Sequence, residues 1–267
     1  MLSLALMVCC QPQTGTAMEF LSRAATAQQP DRAAGKLLPV EGFSLSLNIR
    51  ERDQQRNDID LLVEYARADG GRVKLVLDDP NRGVSVAKGF DGNSYWLQEK
   101  GGEEIDLSSR EFTQDREAID QAIELCERLR LMFDLNDLAK QAIKPQLKER
   151  GKQVFISGSI RHQTLNHPFE LVFDGEHHRL DSLQLWIPLL DQKGRPAVDQ
   201  QGKALWRSQP RFTLSHYRNF EGLLAPQLIR EFAPGPVGEP PIRLIEIHAL
   251  KWKSPPPVER NRSAQRR

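Results

Sequence analysis

The sequence predicts a mainly β, α+β fold: one strongly curved antiparallel sheet with its helices packed on one face. Three observations carry this. Apolar and polar residues alternate with period two through most of residues 43–252. The links between neighbouring runs are short and contain Asp, Asn and Gly, which suits hairpins rather than βαβ crossovers. A single long segment, 114–133, repeats its apolar residues at helical spacing.

In chain order, Phe43, Leu45, Leu47 and Ile49 alternate with Ser44, Ser46, Asn48 and Arg50, giving a strand with one wet face. A second strand, 58–68, sets Ile59, Leu61, Val63 and Tyr65 on one face, and Asp69-Gly70-Gly71 turns the chain. Strands at 72–77 and 84–90 follow. The tight-turn dipeptide Asp91-Gly92 then leads into 94–98, which carries Tyr95, Trp96 and Leu97. In the helix at 114–133 the apolar stripe is Ile119, Ile123, Cys126, Leu129 and Phe133, and Asp115 and Glu117 suit the positive end of the helix dipole. A shorter helix is expected over 135–142, ending before Pro145. Strands resume at 153–160, where Ser157-Gly158-Ser159 reads as a polar turn or bulge, and then at 168–173 and 178–187. Residues 188–203 form a polar excursion, 205–220 two short extended pieces, and 228–232 and 242–252 complete the sheet. The count is roughly nine to eleven strands in one domain, 41–253.

The chain has 267 residues, with 37 Lys or Arg against 36 Asp or Glu. Residues 251–267 hold six of those cations and one Glu, so the body carries −4 and the tail +5. Without a clustered positive field on the body, nucleic acid is not an expected partner. No apolar run approaches the ~18 residues of a membrane span. Three cysteines, Cys9, Cys10 and Cys126, do not make a disulfide scaffold. Residues 1–10, MLSLALMVCC, look like the back half of an export signal, or a lipoprotein signal with Cys9 as the lipidated residue, although Val8 fits the latter poorly. Residues 11–40 read as a flexible leader with one or two helical turns within 18–27, and 254–267 as a disordered basic tail. The expected location is the bacterial cell envelope, periplasmic or membrane-anchored, with Cys9 or the tail as the membrane contact.

Few residues suggest chemistry. The six histidines form no HExxH, and His177 and His178, adjacent on a strand, would point to opposite faces. There is no GxSxG elbow, and neither Gly70-Gly71 nor Gly101-Gly102 is followed by the Lys or helix of a phosphate loop. Nothing selects a carboxylate pair, so hydrolysis is the least favoured reading, and no catalytic, cofactor or metal residue is assigned. What remains is the inner face of a curved sheet, which must pack solid or line an apolar cavity suited to an acyl chain. Trp96, Ile119, Ile123, Phe173, Trp186 and Phe212 are the expected lining.

Residues 84–97, VSVAKGFDGNSYWL, resemble the strand–turn–strand of the LolA/LolB-like lipoprotein-sorting family. Residues 220–226, FEGLLAP, resemble its aromatic-x-Gly-x-x-x-Pro stretch, and 227–232 and 242–252 fit the strands that close its sheet. The resemblance covers about 41–253. It implies a half-open antiparallel barrel with a helical lid over an apolar cavity, and a monomeric, noncatalytic carrier of the acyl chain of a lipid or lipoprotein. The excursion at 188–203 and the basic tail depart from the family, and no cavity arginine is carried over by motif. The alternative is a noncatalytic structural or protein-interaction module of the envelope with a solid core.

Overall fold

The computed structural model describes residues 14–32, 36–51, 59–67, 72–79, 84–162, 165–191, 195–234 and 239–253. Cys9, Cys10 and the tail 254–267 lie outside the described residues. The chain begins with helix α1 (Thr14–Gln28) and a meander of β1 (Gly42–Glu51), β2 (Ile59–Ala66), β3 (Arg72–Asp79), β4 (Val84–Phe90), β5 (Tyr95–Glu99) and β6 (Glu104–Asp106). Helices α2 (Thr113–Phe133) and α3 (Leu135–Gln141) follow. Then come β7 (Ala142–Arg150), β8 (Gln153–His162), β9 (Leu165–Asp174), β10 (Arg179–Pro188), β11 (Trp206–Ser208), β12 (Arg211–Phe220), β13 (Leu223–Phe232) and β14 (Arg243–Lys251).

All but β11 lie in one antiparallel path, β6-β5-β4-β3-β2-β1-β14-β13-β12-β10-β9-β8-β7, so the sheet is open, with β6 and β7 at its edges. The helices join its wings. Helix α2 contacts β3, β4 and β13, α1 contacts β7, β10 and β13, and both touch α3. A sheet whose two wings reach one helical layer is curved around it, as expected from the sequence.

Two elements differ from that expectation. The leader contains a 15-residue helix, α1, rather than one or two turns. Its residues Ala17, Phe20, Leu21, Ala24 and Ala25 recur at three and four and are buried in the main core. The packed body therefore includes residues that the sequence reading assigned to a tether. Strand β7 was not foreseen, because Pro145 lies inside it and polar residues surround it. Pro is tolerated there because β7 is an edge strand, and its register with β8 breaks between Ile143 and Gln146, where Lys144 takes a φ of 48°. Among the described residues there are 14 strands, including the three-residue β6 and β11.

The two halves meet at the β1–β14 pair, whose register shifts once, between Ser46 and Leu47. Buried Asp134 organises the α2–α3 junction. Its carboxylate accepts the Asp137 N–H as the α3 cap and the Val40 N–H from the segment before β1, each at 2.8 Å. Gln29 pairs with the Leu38 backbone through both ends of its amide, folding the link between α1 and β1 back on itself.

Candidate functional site

Large side chains of α1 and α2 pack onto the concave face. Phe20 of α1 meets Phe173 edge-on at 5.2 Å and stacks on His178 at 4.8 Å, while Phe133 of α2 meets Phe43 edge-on at 5.6 Å. The gap left between α1 and the sheet, bordered by Ala24, Gln28, Leu135, Leu180 and Tyr217, is about 10 Å3. That is less than an acyl chain needs. The sequence leaves open whether this face is filled or hollow; beside α1, among the described residues, it is filled.

Alternation along the strands separates the six expected lining residues. Ile119 and Ile123 lie on α2, the first fully buried and the second packed against the core. Phe173 and Phe212 face the helices: Phe173 touches Phe20, and the guanidinium of Arg128 sits 5.2 Å over the Phe212 ring. Trp96 does not join them. Its neighbour Tyr95 donates its hydroxyl proton to Asp120 of α2 at 2.7 Å, so Trp96, one residue on, projects from the other side of β5. Trp96 is nevertheless buried, and its indole N–H finds no partner among the described residues. Trp186 also faces outward, next to the inward, buried Leu185. The concave lining thus includes Ile119, Ile123, Phe173 and Phe212, and omits both tryptophans.

Two clusters of charge lie where the helices meet the sheet. At one, Arg243 bridges buried Glu231 at 3.0 Å and Glu51 at 3.3 Å. Burial lowers the pKa of nearby Arg128, against the opposing pull of Glu231. At the other, Arg130 at the end of α2 binds Asp137 at 2.7 Å and Glu127 at 3.0 Å. Tyr65 donates to Glu127, and burial together with that carboxylate pushes the phenol well above its ordinary range. Tyr95 is pushed to about 12, first by desolvation and then by its bond to Asp120. Cys126, fully enclosed beside Glu127, is raised and remains a thiol. These groups brace the helices against the sheet, and none presents an activated nucleophile. No group of three or more His, Cys, Asp or Glu with metal-holding geometry occurs among the described residues. His177 pairs with Asp174 at 2.7 Å inside its own turn, and His178 lies on Phe20.

An open depression lies elsewhere. A groove of about 640 Å3 crosses β7–β10 on the outward side of the sheet and includes Trp186, Trp206, Ser157, Ser159, Pro168 and Glu170 in its lining. Ser157-Gly158-Ser159, expected as a turn or bulge, pairs without a break with β9, but on its other side it lies opposite the register break of β7 between Ile143 and Gln146. Beside the groove, the described residues 189–191 and 195–205 form an arm with bridges Leu190↔Pro196 and Val198↔Ala204. The polar excursion expected over 188–203 exposes Leu189, Leu190 and Val198, and Leu205 just beyond it is exposed as well.

No family model and no curated protein matches the chain. Among solved structures it is similar to a LolA superfamily protein, NE2245, from Nitrosomonas europaea. The two share 11% identity over 90% of this chain and 95% of that one, with a TM-score of 0.45. It is also similar to a DUF1329 family protein from Desulfovibrio piger, at 8% identity over 91% and 94% of the two chains, with a TM-score of 0.44. No described helix is long and apolar enough to cross a membrane.

Proposed function

We propose that the chain is a noncatalytic binding protein of the bacterial cell envelope that holds the acyl chain of a lipid or lipoprotein against its concave sheet face, in the place α1 occupies in the closed molecule. The observation that carries this reading is how α1 is attached. Its contact face is apolar, from Ala17 to Ala25, and among the described residues only Gln28 joins its side chain by hydrogen bonds to the rest of the fold. Those bonds run to the Met132 carbonyl at 2.5 Å and from the Leu135 N–H at 3.1 Å. An acyl chain can replace such a helix without stranding other polar groups. Each methylene it buries contributes about 0.8 kcal/mol, and a 15-residue helix is about 22 Å long, which suits an extended acyl chain. Transfer then needs no covalent step: α1 leaves, the chain enters, and the order reverses at an acceptor.

The test is titration of the full chain with a fluorescent fatty acid and a triacylated lipopeptide, followed by amide hydrogen exchange. Saturable uptake with loss of protection confined to α1 is expected, and Gln28→Ala should bind tighter because its clasp is weaker. Absence of saturable uptake in both proteins overturns the reading. In that case the interaction-module reading stands, which the exposed aliphatic residues of the 189–205 arm favour.

A further inference from the structure

The outward groove is a second surface, independent of α1, and its chemistry differs from that of the concave face. The strand register arranges its floor in two rows. Gln146, Ser157 and Glu170 pair across β7, β8 and β9 and form a polar row. Two residues along, Ile143, Ser159 and Pro168 form the next row. Trp186 continues that row on β10, one step from Leu185, which pairs with Phe169. Same-face residues two apart on a strand are about 7 Å apart. Trp206, opposite Pro188 on β11, stands on the same face as Trp186 and bounds the apolar end, with its ring held edge-on to His167 at 5.9 Å. The depth of the groove comes from small residues. Ser157 and Ser159 present only hydroxymethyl groups to its floor, while Gly158 between them is directed to the opposite side with Phe169, where a Cβ would lie 3.1 Å from that ring.

The side chains of Gln146, Ser157, Ser159, Asn166 and Glu170 border this groove and make no hydrogen bond or ion pair to another described residue. One wall is therefore indole and proline, and the other a set of short amide, hydroxyl and carboxylate groups that both donate and accept. Lys144 and Glu170 are the charged residues of the lining and cancel, which disfavours a phosphate polymer or another strongly ionic ligand. An acyl chain would leave the polar row without partners. We infer that the groove binds a neutral saccharide: a pyranose ring has an apolar C–H face to lay on an indole and a rim of hydroxyls to pair with the amides, serines and carboxylate. A volume of about 640 Å3 suits an oligosaccharide segment of a few residues.

The experiment is calorimetric titration of the full chain with neutral trisaccharides of glucose, mannose, galactose and N-acetylglucosamine, with intrinsic tryptophan fluorescence as a second readout. At least one should bind at a single site and change the emission. Trp206→Ala should weaken that binding tenfold or more and Gln146→Ala severalfold, while both variants keep the parent melting temperature and any acyl uptake. The inference is overturned if none of the trisaccharides binds at tens of millimolar, if Trp206→Ala binds as tightly as the parent, or if the fatty-acid probe competes for the same site. Failure of acyl uptake alone bears on the concave face and leaves this result readable.

Discussion

The two faces of this sheet solve the same problem in opposite ways. On the concave side, large side chains from α1 and α2 are pressed into the sheet until only about 10 Å3 is left beside α1. On the outward side of β7–β10, small residues leave about 640 Å3 open to solvent. The first face can hold a ligand only by exchanging part of the protein for it. The second is formed before any ligand arrives, so binding there entails little ordering of the protein. On the proposed readings, one site is controlled by a helix and the other by side-chain size.

Substitutions that treat the two faces alike will show how different they are. The largest effect is expected at Phe133, fully buried against Phe43: Phe133→Ala should destabilise the fold by about 3–5 kcal/mol in chemical denaturation. Next is the clasp of α1. Gln28→Ala leaves the Met132 carbonyl and Leu135 N–H buried without a side-chain partner, for about 1–3 kcal/mol, and hydrogen exchange should place the loss in α1 rather than in the sheet. Gly158→Ala forces the Phe169 ring or the Ile143 backbone to move, for about 1 kcal/mol, and its melting curve would separate local repacking from global loss.

Acid should act on the helical side. Burial raises the Asp137 carboxyl, but hydrogen bonds from Arg130 and Gln141 and the charges of Arg130 and Arg67 outweigh it and hold it below 3.8. Its contribution is complete above 3.8 and is lost as pH falls through the lower folded value. Asp134 runs the other way. Burial raises it despite the Val40 and Asp137 N–H bonds, so its contribution is present below 3.8 and is lost as pH rises through the folded value. Denaturation midpoints followed across that range should therefore lose part of their acid sensitivity in Asp137→Asn. The smallest effect belongs to the groove wall: Trp206→Ala should alter stability by no more than about 0.5 kcal/mol. A much larger loss would mean that the indole supports the sheet rather than a ligand.

The meander β1–β5, helix α2 and strands β8–β10 could be read from alternation and spacing, because each carries its whole pattern within a few residues. Helix α1 could not: three of the residues in 17–25 are alanines, whose short stripe looks compositional until a sheet is placed against it. Strand β7 was hidden by Pro145 and by its place at the edge, where no alternation is needed. The site was less legible still. The aromatic residues stand out in the sequence, but which side of a strand Trp96 and Trp186 take depends on register, and a single residue reverses it. The groove had one local signal, Ser157-Gly158-Ser159, and its meaning depends on the strands paired on either side.

The seam between β1 and β14 also sets an order of assembly. Most neighbouring strands in the two meanders are joined by hairpins, but Glu51 pairs with Arg243, 192 residues away. Closing so long a loop costs chain entropy that nearby hairpins do not incur. The meanders can therefore form as local units, and their union across the seam, with the helices enclosed between them, is the slow step of folding. Until that step, strands that are interior in the finished sheet have bare edges. The time spent before seam closure is when this chain is most exposed to pairing with another copy of itself.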